Sequence, residues 1–271
     1  MGLAGWSYQV NETDSLLHLA FAGANEIYGE GQLFQLAFHI PGDAEPGFVP
    51  ITINSILFDN AGIPDSIING GVEIIPSGYI VTNTDDNGPG SLRQYILEAN
   101  LNPGLDTIKF DIPGPGPHTI QLFSALPTIT DAIVIDGTTE PDFSGSPVIE
   151  LDGSNAGEAN GLRIISGNST VKGLVINRFA HAGINLWLNG GNIIQNNIIG
   201  LDITGTIDLG NNGNGIDIHS SSNNLIGSEG ASPSNVISGN ESQGVDFYGA
   251  ASEGNLVIGN YIGLDLTGSI D

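Results

Sequence analysis

The segments G-L-R-I (Gly161–Ile164), G-I-N-L (Gly183–Leu186), G-I-D-I (Gly215–Ile218) and G-V-D-F (Gly244–Phe247) are one pattern written four times. A glycine is followed by an apolar, a polar and another apolar residue, which is the period-two alternation of a half-buried strand. The glycines lie 22, 32 and 29 residues apart, the spacing of a solenoid whose coils each return to the same place. Between them fall further short strands that open on asparagine: Asn192–Gln195, Asn224–Gly227, Asn235–Ile237 and Asn255–Ile258. Two or three short strands per period, with Gly and Asn at the corners, predict a parallel β-helix over residues 107–271. The echo of N-I-I-G-L-D-I-T-G-T-I-D (197–208) in N-Y-I-G-L-D-L-T-G-S-I-D (260–271) then marks one corner of the coil, met again a few coils on.

Working outward, the totals set limits. The 271 residues carry five Lys plus Arg against 30 Asp plus Glu, a formal charge of −25. No basic surface exists to neutralise phosphates, so a nucleic-acid partner is excluded, and an anionic membrane surface is excluded on the same ground. The acidity is compatible with calcium or with neutral glycans. Cysteine is absent, which rules out disulfides and thiolate metal sites. No apolar run is long enough to span a bilayer, so no membrane insertion is expected, and the start of the chain does not read as a signal peptide.

Residues 1–76 read differently. Leu17–Phe21, Leu33–Ile40, Val49–Phe58 and Gly71–Ile75 are strand-like and are punctuated by Pro41-Gly42 and Pro46-Gly47, an all-β sandwich pattern. Residues 77–106 form a linker with one helix, 91–100. There Ser91 is the N-cap and Gln94 is placed to reach back to it, while Leu92, Tyr95, Ile96 and Ala99 form the apolar stripe. Such a helix would cap the open end of a stacked β structure.

Two resemblances extend this reading. The order G-W-S-Y-Q-V, L-L-H-L-A-F-A-G, G-E-G-Q-L-F-Q-L-A-F-H-I, G-F-V-P-I-T-I and I-I-N-G-G-V-E-I over about 1–75 resembles the second half of a cohesin domain. That implies a partial jelly-roll and, through the complete domain, a dockerin-like partner. From about residue 80, V-T-N-T-D-D-N-G-P-G-S-L-R-Q-Y-I-L-E-A-N followed by G-N-S-T-V-K-G-L-V-I-N-R-F is similar to bacterial surface proteins with a Ser-Leu-Arg leader. In those proteins the leader precedes right-handed parallel β-helix repeats. The resemblances imply a piece of a longer extracellular or cell-surface protein, with sandwich strands before it and coils after it.

In the four repeated strands the first and third residues after Gly should point inward, leaving two outward rows. One reads Arg163, Asn185, Asp217, Asp246; the other Ile165, Trp187, His219, Tyr248. Stacked in register, they would set amides and carboxylates for sugar hydroxyls beside rings for sugar faces, a surface for a polysaccharide or cell-surface glycan. A solvated face with scattered aromatics is the competing reading. Asp217 and Asp246 on adjacent coils, with Arg163, are the candidates if the chain is instead a polysaccharide lyase or glycoside hydrolase. The paired-Asp and Gly-His-Gly signatures of the β-helix hydrolases are absent. His219 has no second His at metal spacing and reads otherwise as an exposed polar residue. Asp202 and Asp265 recur in the echo and are the candidates for a structural calcium, with a loop cap as the alternative. Asp85-Asp86-Asn87-Gly88 reads as a turn. The leading expectation is a non-catalytic module for attachment, scaffold assembly or carbohydrate binding; a rigid spacer is the third.

Overall fold

A computed structural model of the chain describes residues 7–13, 16–22, 47–51, 70–74, 79–230 and 233–269. The chain divides into two compact units, Met1–Ile74 and Ile75–Asp271. In the first, Ser7–Thr13 pairs antiparallel with Leu16–Ala22, and Gly47–Ile51 pairs antiparallel with Gly70–Ile74. The remainder of the expected sandwich, Leu33–Ile40 included, lies outside the described residues.

The second unit is built from three parallel sheets, and from Ile133 onward the chain visits them in rotation, the strand order of a parallel β-helix. The first face stacks Tyr79–Val81, Asp106–Phe110, Ile133–Asp136, Thr170–Lys172, Ile193–Gln195, Leu225–Gly227 and Leu256–Ile258. The second stacks His118–Gln121, Ile149–Asp152, Leu174–Asn177, Ile198–Ile199, Val236–Ile237 and Tyr261–Ile262. The third stacks Leu162–Ile164, Ile184–Trp187, Ile216–His219 and Val245–Tyr248.

Register explains the core. On the first face Ile108, Ile135, Val171, Ile194 and Ile226 pair in one column; on the second, Ile120, Leu151, Ile176, Ile199 and Ile237 do the same. All ten are at most 1% exposed. Each coil therefore offers β-branched or leucine side chains to like neighbours above and below, and burying each such side chain is worth about 1.5–3 kcal/mol. On the third face Leu162, Ile184 and Ile216 are buried as predicted, but Phe247 on the last rung is exposed, because no described rung stacks on it.

The corners follow from backbone geometry. The chain turns from the first face to the second through Gly173 (φ 74°), Asn196 (φ 56°) and Gly259 (φ 66°), a left-handed conformation that Gly and Asn accept most readily. The asparagine beside the turn faces in. Asn197 donates to Asn235 Oδ1 at 3.2 Å and Asn235 to Asn260 Oδ1 at 2.8 Å, while Asn235 Oδ1 also accepts the Asn197 amide at 3.0 Å. A second ladder, Asn192–Asn224–Asn255, runs at 2.8 and 2.7 Å at the entry to the first face. These ladders give the buried corner amides the partners that hydrophobic neighbours could not.

The helix is Leu92–Ala99, with Ser91 as N-cap accepting the Gln94 amide at 3.2 Å. Leu92, Ile96 and Ala99 are buried and Tyr95 packs beside them. The reciprocal half of the expected capping box does not form: Gln94 Nε2 donates instead to Glu98 Oε1 at 2.8 Å, one helical turn on. Asp86 ties the preceding turn to this helix through Arg93 at 2.6 Å. No described helix is long and apolar enough to cross a membrane.

Candidate functional site

The third face carries the two outward rows in the expected register. Arg163, Asn185, Asp217 and Asp246 pair rung to rung, as do Trp187, His219 and Tyr248. The glycine that precedes each strand makes this stacking possible. A methyl group on Gly183 would sit 2.6 Å from Ile199 Cγ2 and 2.9 Å from the carbonyl oxygen of Gly215, and one on Gly215 would sit 2.6 Å from that of Gly244. A side chain there would force successive coils or their neighbours to shift.

The ring row forms a continuous column. The Trp187 and His219 rings stack with centroids 4.6 Å apart, and those of His219 and Tyr248 are 4.2 Å apart. The Arg163 guanidinium lies over Trp187, 4.6 Å from its centroid, a cation–π contact that extends the column by one coil. His219 is therefore not the exposed polar residue that the competing sequence reading offered. It is half-buried between two rings, and its Nδ1 is buried without a hydrogen-bond partner.

Beside the column lies a cavity of about 370 Å³. Five of the seven proposed sugar-contact residues line it: Arg163, Asn185, Trp187, Asp217 and Tyr248. His219 and Asp246 do not. Asn185, expected to face solvent, is 5% exposed and sits in the cavity wall with its Oδ1 unpartnered, and the Nε of Arg163 is likewise buried and unpartnered. Asp217 is oriented by the side-chain amide of Asn214. Burial first, and then the charges of Asp217 and Asp246, push the Tyr248 hydroxyl above its ordinary range.

Further lining residues were missed in the sequence. Among them are Asn160, His181, Asn214 and Ser242, one or two residues before the strand glycines. The signal was present: Asn160 Oδ1 accepts the Ala182 amide at 3.1 Å and Asn214 Oδ1 accepts the Gln243 amide at 2.8 Å, so an asparagine before Gly ties its coil to the next.

The other acids divide cleanly. Asp202 Oδ1 accepts the amides of Thr206 and Ile207 at 3.1 and 3.0 Å and the Thr204 hydroxyl at 2.8 Å. Asp265 Oδ1 does the same with the amides of Thr267 and Ser269, both at 2.9 Å. Each carboxylate closes its own turn, and the Leu266 amide donates to Gly205 of the matching turn at 2.8 Å. Lys172 and Arg178 lie away from this face, paired with Asp136 and with Glu150 and Asp152. Arg163 is thus the cation that shares the cavity with Asp217, and among the described residues it forms no salt bridge.

The chain matches no protein-family model, and no curated protein matches it.

Proposed function

We propose that the third face binds a glycan without cleaving it, within an extracellular bacterial protein that serves attachment or scaffold assembly. On this reading the coils are a right-handed parallel β-helix of the Ser-Leu-Arg leader type, and residues 1–76 belong to a cohesin-like sandwich with a dockerin-like partner. The observation that carries the proposal is the cavity. Arg163 and Asn185, each with a buried polar atom that has no partner, line the same space as Trp187 and Tyr248. A sugar suits both kinds of side chain at once, its hydroxyls meeting the polar groups of the lining and its C–H face meeting a ring. The −25 charge adds no general attraction for a polyanion, so a neutral glycan is favoured.

A second reading, a polysaccharide lyase or glycoside hydrolase, rests on a carboxylate and a cation, Asp217 and Arg163, lining that cavity, with Asp246 one rung on from Asp217. The test is calorimetric titration of the full chain with neutral and acidic polysaccharides, with and without calcium, while unsaturated and reducing-end products are followed. Saturable binding that weakens about tenfold in Trp187→Ala, a loss of about 1.4 kcal/mol, with no product, is the expected result. Product that disappears in Asp217→Asn would replace binding by catalysis, and silence in both assays would leave the coils as a rigid spacer.

A further inference from the structure

Away from this face, His118, Glu140 and Asp142 bring three metal-ligating atoms within 4.8 Å of one another, a grouping not shared by any other trio of His and acidic residues in the described chain. His118 opens a strand of the second face, and Glu140 and Asp142 follow the short 3-10 turn Gly137–Thr139 of the next coil. No local motif signals this grouping, because its spacing is set by the stacking of coils.

We infer that these residues form a mononuclear site for a divalent transition metal of the zinc class. His118 is 7% exposed and its Nε2 has no hydrogen-bond partner. The atom it faces is Glu140 Oε1 at 3.6 Å, on a carboxylate that is itself 3% exposed. A charged His–Glu hydrogen bond would close to about 2.7–2.9 Å. Two ligands on a tetrahedral ion, each about 2.0–2.2 Å from it, stand roughly 3.4 Å apart. The observed 3.6 Å is too long for that hydrogen bond and close to the spacing of two ligands on one ion.

The surrounding groups agree. Glu140 keeps Oε1 toward His118 because its Oε2 accepts the Ile112 amide at 3.0 Å, and Asp142 is fixed by the Gly116 amide at 2.6 Å. Backbone donors that hold one oxygen of each carboxylate are the outer shell that orients metal ligands. Two carboxylates and a neutral imidazole supply the charge of −2 that balances a divalent cation. The buried nitrogen ligand selects zinc-like ions over calcium or magnesium, which take all-oxygen shells. Asp142 is exposed, which gives the ion a route in and leaves a fourth position for water.

The test is calorimetric titration of zinc into the chelator-treated full chain, with excess magnesium to occupy surface carboxylates. One saturable equivalent is expected. Cobalt(II) in its place should give the intense visible absorption of a four-coordinate ion. Asp142→Asn and His118→Gln should each weaken zinc binding at least tenfold, whereas Asp202→Asn should leave it unchanged. No saturable equivalent, or one that survives in either folded ligand variant, would overturn the site. If His118→Gln does not fold, by circular dichroism, Asp142→Asn alone decides.

Discussion

Replacing Asn224 by alanine tests whether the asparagine ladders hold the coils together. Asn224 is 1% exposed and uses its whole side chain. Oδ1 accepts the backbone and side-chain amides of Asn192 at 2.9 and 2.8 Å, and Nδ2 donates to Ser221 Oγ at 3.0 Å and to Asn255 Oδ1 at 2.7 Å. Each bond contributes about 0.5–1.5 kcal/mol net, and a buried amide left without an acceptor costs about 1–3 kcal/mol. The four bonds share partners and do not add fully, so Asn224→Ala should lower stability by about 3–4 kcal/mol. That is a large share of the roughly 5–15 kcal/mol typical of a folded domain. Urea denaturation followed by circular dichroism reads this as a lower midpoint at unchanged slope. Asn224→Asp sharpens the test, since it keeps the shape and the acceptor but turns an oxygen toward Asn255 Oδ1. It should cost at least as much. A loss under about 1 kcal/mol in both variants would refute the ladder as a stabilising device and leave cohesion to the apolar columns and the backbone ladders.

Gly183→Ala forces a methyl group against Ile199, the Gly215 carbonyl and Asn211, whose amide is held by Asn240 and Ile176. It should cost about 1–3 kcal/mol and lower the melting temperature by several degrees in calorimetry; an unchanged melting temperature would show that the coils of the third face can separate freely to admit the methyl. Acid should also destabilise the coils. Burial alone would raise the Asp202 carboxyl, but the Ile207 amide, the Thr204 hydroxyl and the Thr206 amide outweigh it and hold the group below its ordinary range. Burial is likewise outweighed at Asp86, chiefly by Arg93. Carboxyls lowered in the folded state contribute stability that is present above the ordinary carboxylate range and lost as pH falls through their folded values. Urea midpoints from neutral pH to about 3 should therefore fall less steeply in Asp202→Asn than in the parent, and identical slopes would refute the assignment.

The coils were legible because their grammar is local. A glycine, two inward apolar residues and an asparagine corner recur wherever a coil meets the same packing problem, so the pairing of Arg163 with Asn185, Asp217 and Asp246 follows from the repeat alone. What depends on the neighbouring coil could not be read this way. The burial of Asn185 and the lining that Asn160, His181, Asn214 and Ser242 add to the cavity depend on how neighbouring coils meet at the third face. The commitment of Gln94 to Glu98 is a choice between two local partners that the capping pattern alone cannot make. The 63-residue echo has a similar cause. Between its copies the coil carrying Val236–Ile237 lacks the protruding turn, so the turns of Asp202 and Asp265 meet directly across it and pack Ile203 and Leu266 over a small second core.

Unmet hydrogen bonds are concentrated on the third face. Native folds leave few buried polar atoms without partners, and each one calls for an explanation. Among the described residues six side-chain atoms are in this state, and three of them belong to Arg163, Asn185 and His219 on the third face. A fourth is His118 Nε2, at the grouping with Glu140 and Asp142. The remaining two, Glu98 Oε2 and Asp106 Oδ2, lie at neither place. The corner asparagines, buried just as deeply, have their amides engaged. A coil that can satisfy its corners so fully could satisfy these positions too, by placing an apolar residue or a second amide there. The columns of isoleucine, the backbone ladders and the asparagine ladders supply enough cohesion to tolerate these deficits, and at two of the places a ligand would relieve them: hydroxyls for the arginine and the amide, a cation for the imidazole. Filling the deficit with a non-binding partner, as in Asn185→Leu, should then stabilise the coil while weakening glycan binding, a trade that a purely structural residue would not show.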